Sequence, residues 1–193
     1  MDSIIIVSLI IIFLIQLAVP KARLNNIGLF GFSALILLFV LIFGIAVYES
    51  VNQYRIWADN DFGKFLLPPY QDFSYFVFYS RINFFNPYLL SFIIGLFILT
   101  SAKYFNRRFG ERFFEASEPF LLATGVLASG YPGWFFYIIL LLFIGLFISL
   151  FHFWRFKESY RLSLYYFWLP AALFTILISR GLNMLLWWQT LKI

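Results

Sequence analysis

Apolar runs separated by short polar segments make up most of this chain. A helix needs about 20 predominantly apolar residues to cross the hydrocarbon core of a bilayer, and it can do so because it satisfies its own backbone hydrogen bonds. The pattern therefore predicts an all-α fold, a polytopic transmembrane helical bundle of six to seven spans. Six apolar runs are candidate spans: residues 4–19, 27–47, 88–102, 120–129, 134–154 and 162–178.

Segment 70–85 decides between six spans and seven. It is rich in aromatic residues but contains the polar residues Gln71, Asp72, Ser74 and Arg81. Pro87 is predicted to separate it from the next run, because proline interrupts a helix. If the segment crosses the membrane, Asp61 and Glu118 lie on one side; if it lies in the interface, they lie on opposite sides.

Prolines and glycines predict where the later helices begin and end. Pro119 suits the first turn of the helix over 120–129. The sequence Gly130-Tyr131-Pro132-Gly133 predicts a turn directly after that helix. Pro170 is predicted to kink the last span.

The two ends of the chain are predicted to belong to one membrane domain. The run 4–19 is predicted to be a retained first span, because the only early charge is Asp2 and no small-residue cleavage site follows. The tail contains Trp187 and Trp188, which favour a membrane interface. The predicted divisions are a first span and loop (1–26), a helical core (27–180) and an interfacial tail (181–193).

Composition agrees with a membrane protein. The 193 residues are 63% hydrophobic and only 12% charged, whereas soluble domains carry roughly 25% charged residues. The chain has no cysteine, which excludes disulfides, thiolate nucleophiles and zinc–thiolate sites. The single histidine, His152, is a poor metal site by itself, so no metal is expected.

Positive charge predicts which side of the membrane the loops face. The loop 103–118 has four Lys or Arg residues and the loop 155–161 has three, which together are half of the 14 in the chain. Basic loops are cytoplasmic in multi-pass proteins. The net charge of +5 therefore indicates membrane orientation, with the lipid bilayer as partner, and gives no reason to expect nucleic acid.

Asp61 and Glu118 are the candidate catalytic residues, since each lies at the mouth of an apolar run. Two carboxyls that share a proton at a membrane edge could activate a water molecule, as in aspartic proteases. The alternative is that both are solvated surface charges beside Lys and Arg, which is the usual situation of acids in loops.

Two segments resemble the catalytic segments of the prepilin peptidase (type IV leader peptidase) family. Residues 61–69, DFGKFLLPP, have the family's aspartate, short basic-containing stretch, hydrophobic pair and proline. Residues 117–124, SEPFLLAT, followed by Gly-Tyr-Pro at 130–132, are similar to the second segment. There the family has Gly-x-Gly-Asp-x-Lys, then a Leu/Ala-rich helix that ends in Gly-aromatic-Pro. The similarity covers residues 40–178.

The resemblance implies an aspartic-type membrane endopeptidase. The short loops and the lack of targeting signals indicate a prokaryotic cytoplasmic (inner) membrane. The substrate of the endopeptidase would be a pilin-like membrane-embedded helix, cleaved near its cytoplasmic end. Of Asp61 and Glu118, one would deprotonate the attacking water and the other would protonate the scissile carbonyl oxygen. The family chemistry needs no metal or organic cofactor, and nothing in the sequence indicates an oligomeric state.

Three departures from the family pattern leave other functions open. Glu118 stands where the family has aspartate, Ser117 where it has glycine and Phe120 where it has lysine. They favour a protein that keeps the fold but serves as a catalytically inactive membrane scaffold or assembly protein. The interrupted run around Gly130 also permits a small transporter, although the long runs contain almost no polar residues.

Overall fold

The structure is a computed structural model that describes residues 2–18, 27–156, 163–182 and 184–191. Within these ranges it contains helices and turns and no strand, so the predicted all-α fold is confirmed. Short turns of 3-10 and π geometry occupy Gly63–Leu66 and Arg81–Phe85. The α-helices are α1 (Asp2–Ala18), α2 (Ile27–Asp59), α3 (Phe73–Ser80), α4 (Asn86–Arg108), α5 (Glu118–Ser129), α6 (Gly133–Phe156), α7 (Trp168–Leu182) and α8 (Leu186–Thr190).

Three helical stretches in the described residues are long and apolar enough to cross a membrane: Gly28–Asp59, Phe73–Arg108 and Gly133–Arg155. The apolar helices α1, α5 and α7 are shorter. Large apolar side chains on the outer face of α6, such as Phe143 and Phe147, are exposed. Such a surface suits lipid, because hydrocarbon solvates these side chains as well as a protein core does.

Helix α5 lies at the centre of the bundle, and α2, α4, α6 and α7 pack around it. Ten of its 12 residues are buried. As predicted, Pro119 occupies its first turn and the chain turns at Gly130, which has a positive φ of 61°. A helix of this length spans only about 18 Å, so both of its ends lie among longer neighbours.

The two ends of α5 define two ends of the bundle. At the Glu118 end, Gln16 of α1 donates a hydrogen bond to the carbonyl of Tyr165 (2.7 Å), and the start of α2 contacts Ser117. At the Gly130 end, the amide of Tyr131 donates to the carbonyl of Pro87 (3.2 Å). Helices α1, α4 and α6 therefore run antiparallel to α5.

Helix α2 extends far beyond the Gly130 end. Its 33 residues correspond to about 50 Å, which exceeds the ~30 Å hydrocarbon core. The rings of Phe39 and Phe43 in its first half contact the ring of Phe92 in α4. Its second half packs instead on α3, where Tyr54 and Trp57 contact Phe76. Together α2 and the helical stretch 73–108 form a long hairpin, whose tip we define as residues 60–72.

The predicted break at Pro87 is wrong. Residues Phe73–Arg108 form one continuous helical stretch, in which the π turn Arg81–Phe85 directly precedes the first turn of α4. The wider π turn accommodates the proline, which cannot donate the regular backbone hydrogen bond and would clash with a carbonyl four residues back. Residues 73–85 of this segment therefore belong to the same continuous helical stretch as α4.

The predicted kink at Pro170 is also corrected. The last apolar helix begins at Trp168, so Pro170 lies in its first turn, where no backbone donor is needed, and does not kink it. Trp188 of the predicted interfacial tail is buried, because it packs on Phe136 at a ring-centroid distance of 5.0 Å. The start of the predicted run at Leu162 lies outside the described residues.

The hairpin predicts that its tip and the Glu118 end are on opposite sides of the membrane. Because the chain has no cysteine, Phe62→Cys and Phe113→Cys can each be labelled alone. In intact cells, a membrane-impermeant maleimide is expected to label Phe62→Cys, while Phe113→Cys reacts only after permeabilisation. Labelling of both from the same side would mean that segment 70–85 crosses by itself.

Candidate functional site

Asp61 lies at the exposed tip of the hairpin. Its carboxylate is 94% exposed and forms an ion pair with Lys64 at 3.2 Å, an arrangement that contributes little stability in water. The neighbouring Asn60 accepts hydrogen bonds from the amides of Phe62 (2.9 Å) and Gly63 (3.1 Å). The local sequence around Asp61 thus forms a turn that reverses the chain between α2 and α3.

Glu118, unlike Asp61, is buried. Its side chain is 1% exposed, and its two carboxyl oxygens both accept hydrogen bonds. Oε2 accepts from the amide of Glu115 (2.8 Å) and Oε1 from the hydroxyl of Ser163 (3.2 Å). The amide of Glu118 donates back to the carbonyl of Glu115 (3.1 Å), so the residue closes the turn that starts α5.

The structure does not bring the two predicted catalytic carboxyls together. A β-carbon on Gly31 near the start of α2 would lie 2.8 Å from the carbonyl oxygen of Ser117, beside Glu118, whereas Asp61 follows the other end of α2. The intervening helix of 28 residues is about 40 Å long. A shared proton or bridging water needs hydrogen-bond distances, so no dyad is assembled.

Two residues close to Glu118 in the sequence, Ser117 and Phe120, complete the surroundings of the site. The Nζ atom of Lys103 in α4 lies 3.8 Å from the centroid of the Phe120 ring, which is a cation–π contact. A positive charge therefore reaches the first turn of α5 from another helix. The Oγ atom of Ser117 is buried and has no hydrogen-bond partner among the described residues.

Ser163 is a site residue that the sequence could not identify. It lies 45 positions from Glu118, in the turn that precedes α7, and no local pattern links the two. Lys103 belongs to the basic loop that predicted membrane orientation, but its contact with Phe120 depends on the packing of α4 against α5. Both contacts are products of tertiary structure.

A second candidate site, which sequence reasoning missed, is an open cavity of about 720 Å³ at the Gly130 end. It lies where the end of α5 meets the start of α4, the second half of α2 and the end of α7. The one signal in the sequence was the predicted turn at Gly130. Polar and aromatic side chains line the cavity: Glu49, Asn83, Tyr88, Ser129, Tyr131, Ser179, Arg180 and Trp188.

Neither candidate site holds a set of metal ligands. Among the described residues, no group of three or more His, Asp or Glu side chains is close enough to bind a metal ion. Buried carboxylates in proteins are paired, hydrogen-bonded or metal-bound, and Glu118 belongs to the hydrogen-bonded class.

Comparison with known proteins gave no relative. No protein-family model matches the chain, and neither a curated protein nor a solved structure matches it. The resemblance to prepilin peptidases therefore stays a prediction from the two sequence segments.

Proposed function

We propose that this chain is a multi-pass membrane protein that acts as a scaffold or assembly partner, without peptidase activity, in a prokaryotic cytoplasmic membrane. The observation that carries the proposal is the position of Asp61 and Glu118 at opposite ends of α2. A peptidase of the aspartic type needs both carboxyls around one water molecule.

The contacts of Glu118 support the same proposal. Its two oxygens are already used to hold the turn before α5 and the turn before α7. A carboxyl that accepts hydrogen bonds from two separate chain segments holds them together and stabilises the centre of the bundle. The glutamate that replaces the family aspartate thus has a structural role that explains its burial.

The hairpin supplies the surface that a scaffold would use. Its tip and the adjoining part of α3 expose large aromatic side chains, including Phe62 (84% exposed) and Phe78 (62% exposed). Exposed aromatic side chains are enriched at surfaces that bind other proteins. We infer that this end of the molecule contacts its assembly partners on the side of the membrane opposite to the basic loop.

Transport is less well supported by the geometry. The large cavity lies at the end of α5, whereas transporters bind their substrates near the midplane of the bilayer, between broken helices. The helices that surround α5 pack on it with buried apolar side chains.

Site-specific photo-crosslinking in the native host tests the proposal. A photoreactive phenylalanine analogue replaces Phe62 at the tip in one variant, and Phe147 on the outer face of α6, 72% exposed, in the matched control. We expect a protein adduct of one defined mass from position 62 and none from position 147, because lipid covers the latter.

Two results would overturn the proposal that the protein is a scaffold. One is the absence of any protein adduct at position 62. The other is cleavage of a pilin-like precursor by the purified protein that is abolished by Asp61→Asn and by Glu118→Gln, since this pattern requires a catalytic pair.

A further inference from the structure

We propose that the cavity at the Gly130 end binds a membrane phospholipid with a primary ammonium headgroup. The headgroup would occupy the polar cavity, and an acyl chain would lie in an adjoining apolar groove on α4. This binding site is independent of the scaffold function, since it involves neither the hairpin tip nor Glu118.

Glu49 provides the charge that an ammonium group needs. It lines the cavity from the second half of α2 and is partly buried. It has no hydrogen bond or ion pair with any described residue. A partly buried carboxylate gains most from a ligand that donates charge-assisted hydrogen bonds, and a primary ammonium group has three donors.

Two further features of the cavity favour a cation. The last residues of α5, Ala128 and Ser129, line it, and the C-terminal end of a helix carries partial negative charge on its final carbonyl groups. Aromatic rings attract cations, and Tyr88 and Tyr131 also line the cavity.

Arg180 at the end of α7 provides the complementary charge for a phosphate. It lines the same cavity, and its guanidinium donates a hydrogen bond to the hydroxyl of Ser3 (3.1 Å). The guanidinium group is a planar fork of N–H donors that matches phosphate geometry. A ligand with a phosphate and an ammonium group would thus meet one charge of each sign, Arg180 and Glu49.

An apolar groove continues from the cavity along α4 and indicates that the ligand has an acyl chain. The groove has a volume of about 220 Å³ and is lined by Leu89, Leu90 and Ile93. It shares Pro87 and Tyr131 with the polar cavity. Ile93 is 55% exposed on the outer face of α4, where lipid chains would cover it. A polar cavity joined to an apolar groove at the end of a membrane bundle fits a phospholipid.

Native mass spectrometry of the detergent-purified protein tests the site. Phosphatidylethanolamine and phosphatidylglycerol of identical acyl chains are titrated separately, and lipid-bound peaks are counted. We expect wild type to bind phosphatidylethanolamine about tenfold more tightly than phosphatidylglycerol. Glu49→Gln should lose about that factor, which is the usual effect of one charge-assisted hydrogen bond. The control Glu111→Gln changes an exposed acid at the other end of the bundle and should leave binding unchanged.

A second pair of variants tests the groove while leaving the headgroup site intact. Ile93→Trp fills the groove and should weaken binding of phosphatidylethanolamine severalfold, whereas Phe97→Trp, on the same helix and outside the groove, should not. Free phosphoethanolamine, which has no acyl chain, should compete only weakly.

Three outcomes would overturn the lipid site. Equal affinity for the two lipids would exclude recognition of the ammonium group. Unchanged binding in Glu49→Gln, with a melting temperature equal to wild type, would exclude the headgroup position. Free phosphoethanolamine that competes as strongly as the lipid would show that the cavity takes a soluble ligand.

Discussion

Replacing Gly125 by alanine is expected to destabilise the protein strongly, although alanine is ordinarily the better helix residue. Gly125 lies in the middle of α5, and a β-carbon there would overlap the hydroxyl and ring of Tyr137 in α6. Tyr137 is fully buried, and its hydroxyl donates a hydrogen bond to the carbonyl of Trp168 (3.2 Å). The added methyl group would push α6 from α5 and break this link to α7.

The expected magnitude follows from the cost of overpacking. Forcing atoms into a well-packed core costs about 1–3 kcal/mol, and a backbone-attached methyl group cannot rotate away. For a chain of this size each kcal/mol corresponds to about 2–4 °C in melting temperature. The upper end of this cost, less about 1 kcal/mol gained in helix propensity, leaves a net loss of about 2 kcal/mol. Thermal unfolding in detergent, followed by tryptophan fluorescence, should therefore show a decrease of about 4–8 °C for Gly125→Ala.

Gly44 provides a matched control for this substitution. It is also helical, in α2, but a β-carbon there would have no neighbour within 4 Å. Gly44→Ala should therefore gain the helix propensity of alanine, about 1 kcal/mol, and melt at or above the wild-type temperature. Equal melting of the two variants would contradict the close approach of α5 and α6.

Replacing Glu118 by leucine is expected to be the other severely destabilising change. The substitution removes the acceptors for the Glu115 amide and the Ser163 hydroxyl. Loss of the acceptor for a part-buried donor costs up to about 3 kcal/mol. Glu118→Gln keeps one acceptor oxygen and should fall between wild type and Glu118→Leu in melting temperature.

Two further variants separate this hydrogen-bond role from a general effect of charge. Asp61→Leu removes an exposed acid at the hairpin tip, so its effect on stability should stay within about 0.5 kcal/mol. Ser163→Ala should cost less in the Glu118→Leu background than in wild type, because the two residues share one hydrogen bond. Additive effects of the two substitutions would mean that the Ser163–Glu118 contact does not contribute to stability.

For the two predicted catalytic residues, the sequence pattern predicted the nearby helix boundaries but not the distance between them. Asp61 and Pro68 have the family spacing, but in the structure the segment forms an exposed turn closed by Asn60. Glu118 and Pro119 do begin a buried helix, as the second segment predicted. Each segment was therefore correctly placed at a helix boundary, while the distance between them depended on whether 70–85 crosses the membrane.

Segment 70–85 was the place where local information was insufficient. Its aromatic and polar residues suit an interfacial helix as well as a poor span, and Pro87 suggested a break. The structure continues the helix through a π turn, because residues of α3 pack on the second half of α2 through contacts such as Tyr54 with Phe76. Packing between distant segments overrides the local preference for a break.

The sequence by itself determined the helical class, most of the apolar helices and the turn at Gly130, because hydrophobic runs and proline and glycine act on their immediate neighbours. Only the tertiary structure decided that Asp61 and Glu118 lie at opposite ends of α2, that Ser163 meets Glu118, and that Glu49 and Arg180 line one cavity. These relations join residues tens of positions apart. They arise from the order in which helices pack around α5, and no local pattern encodes that order.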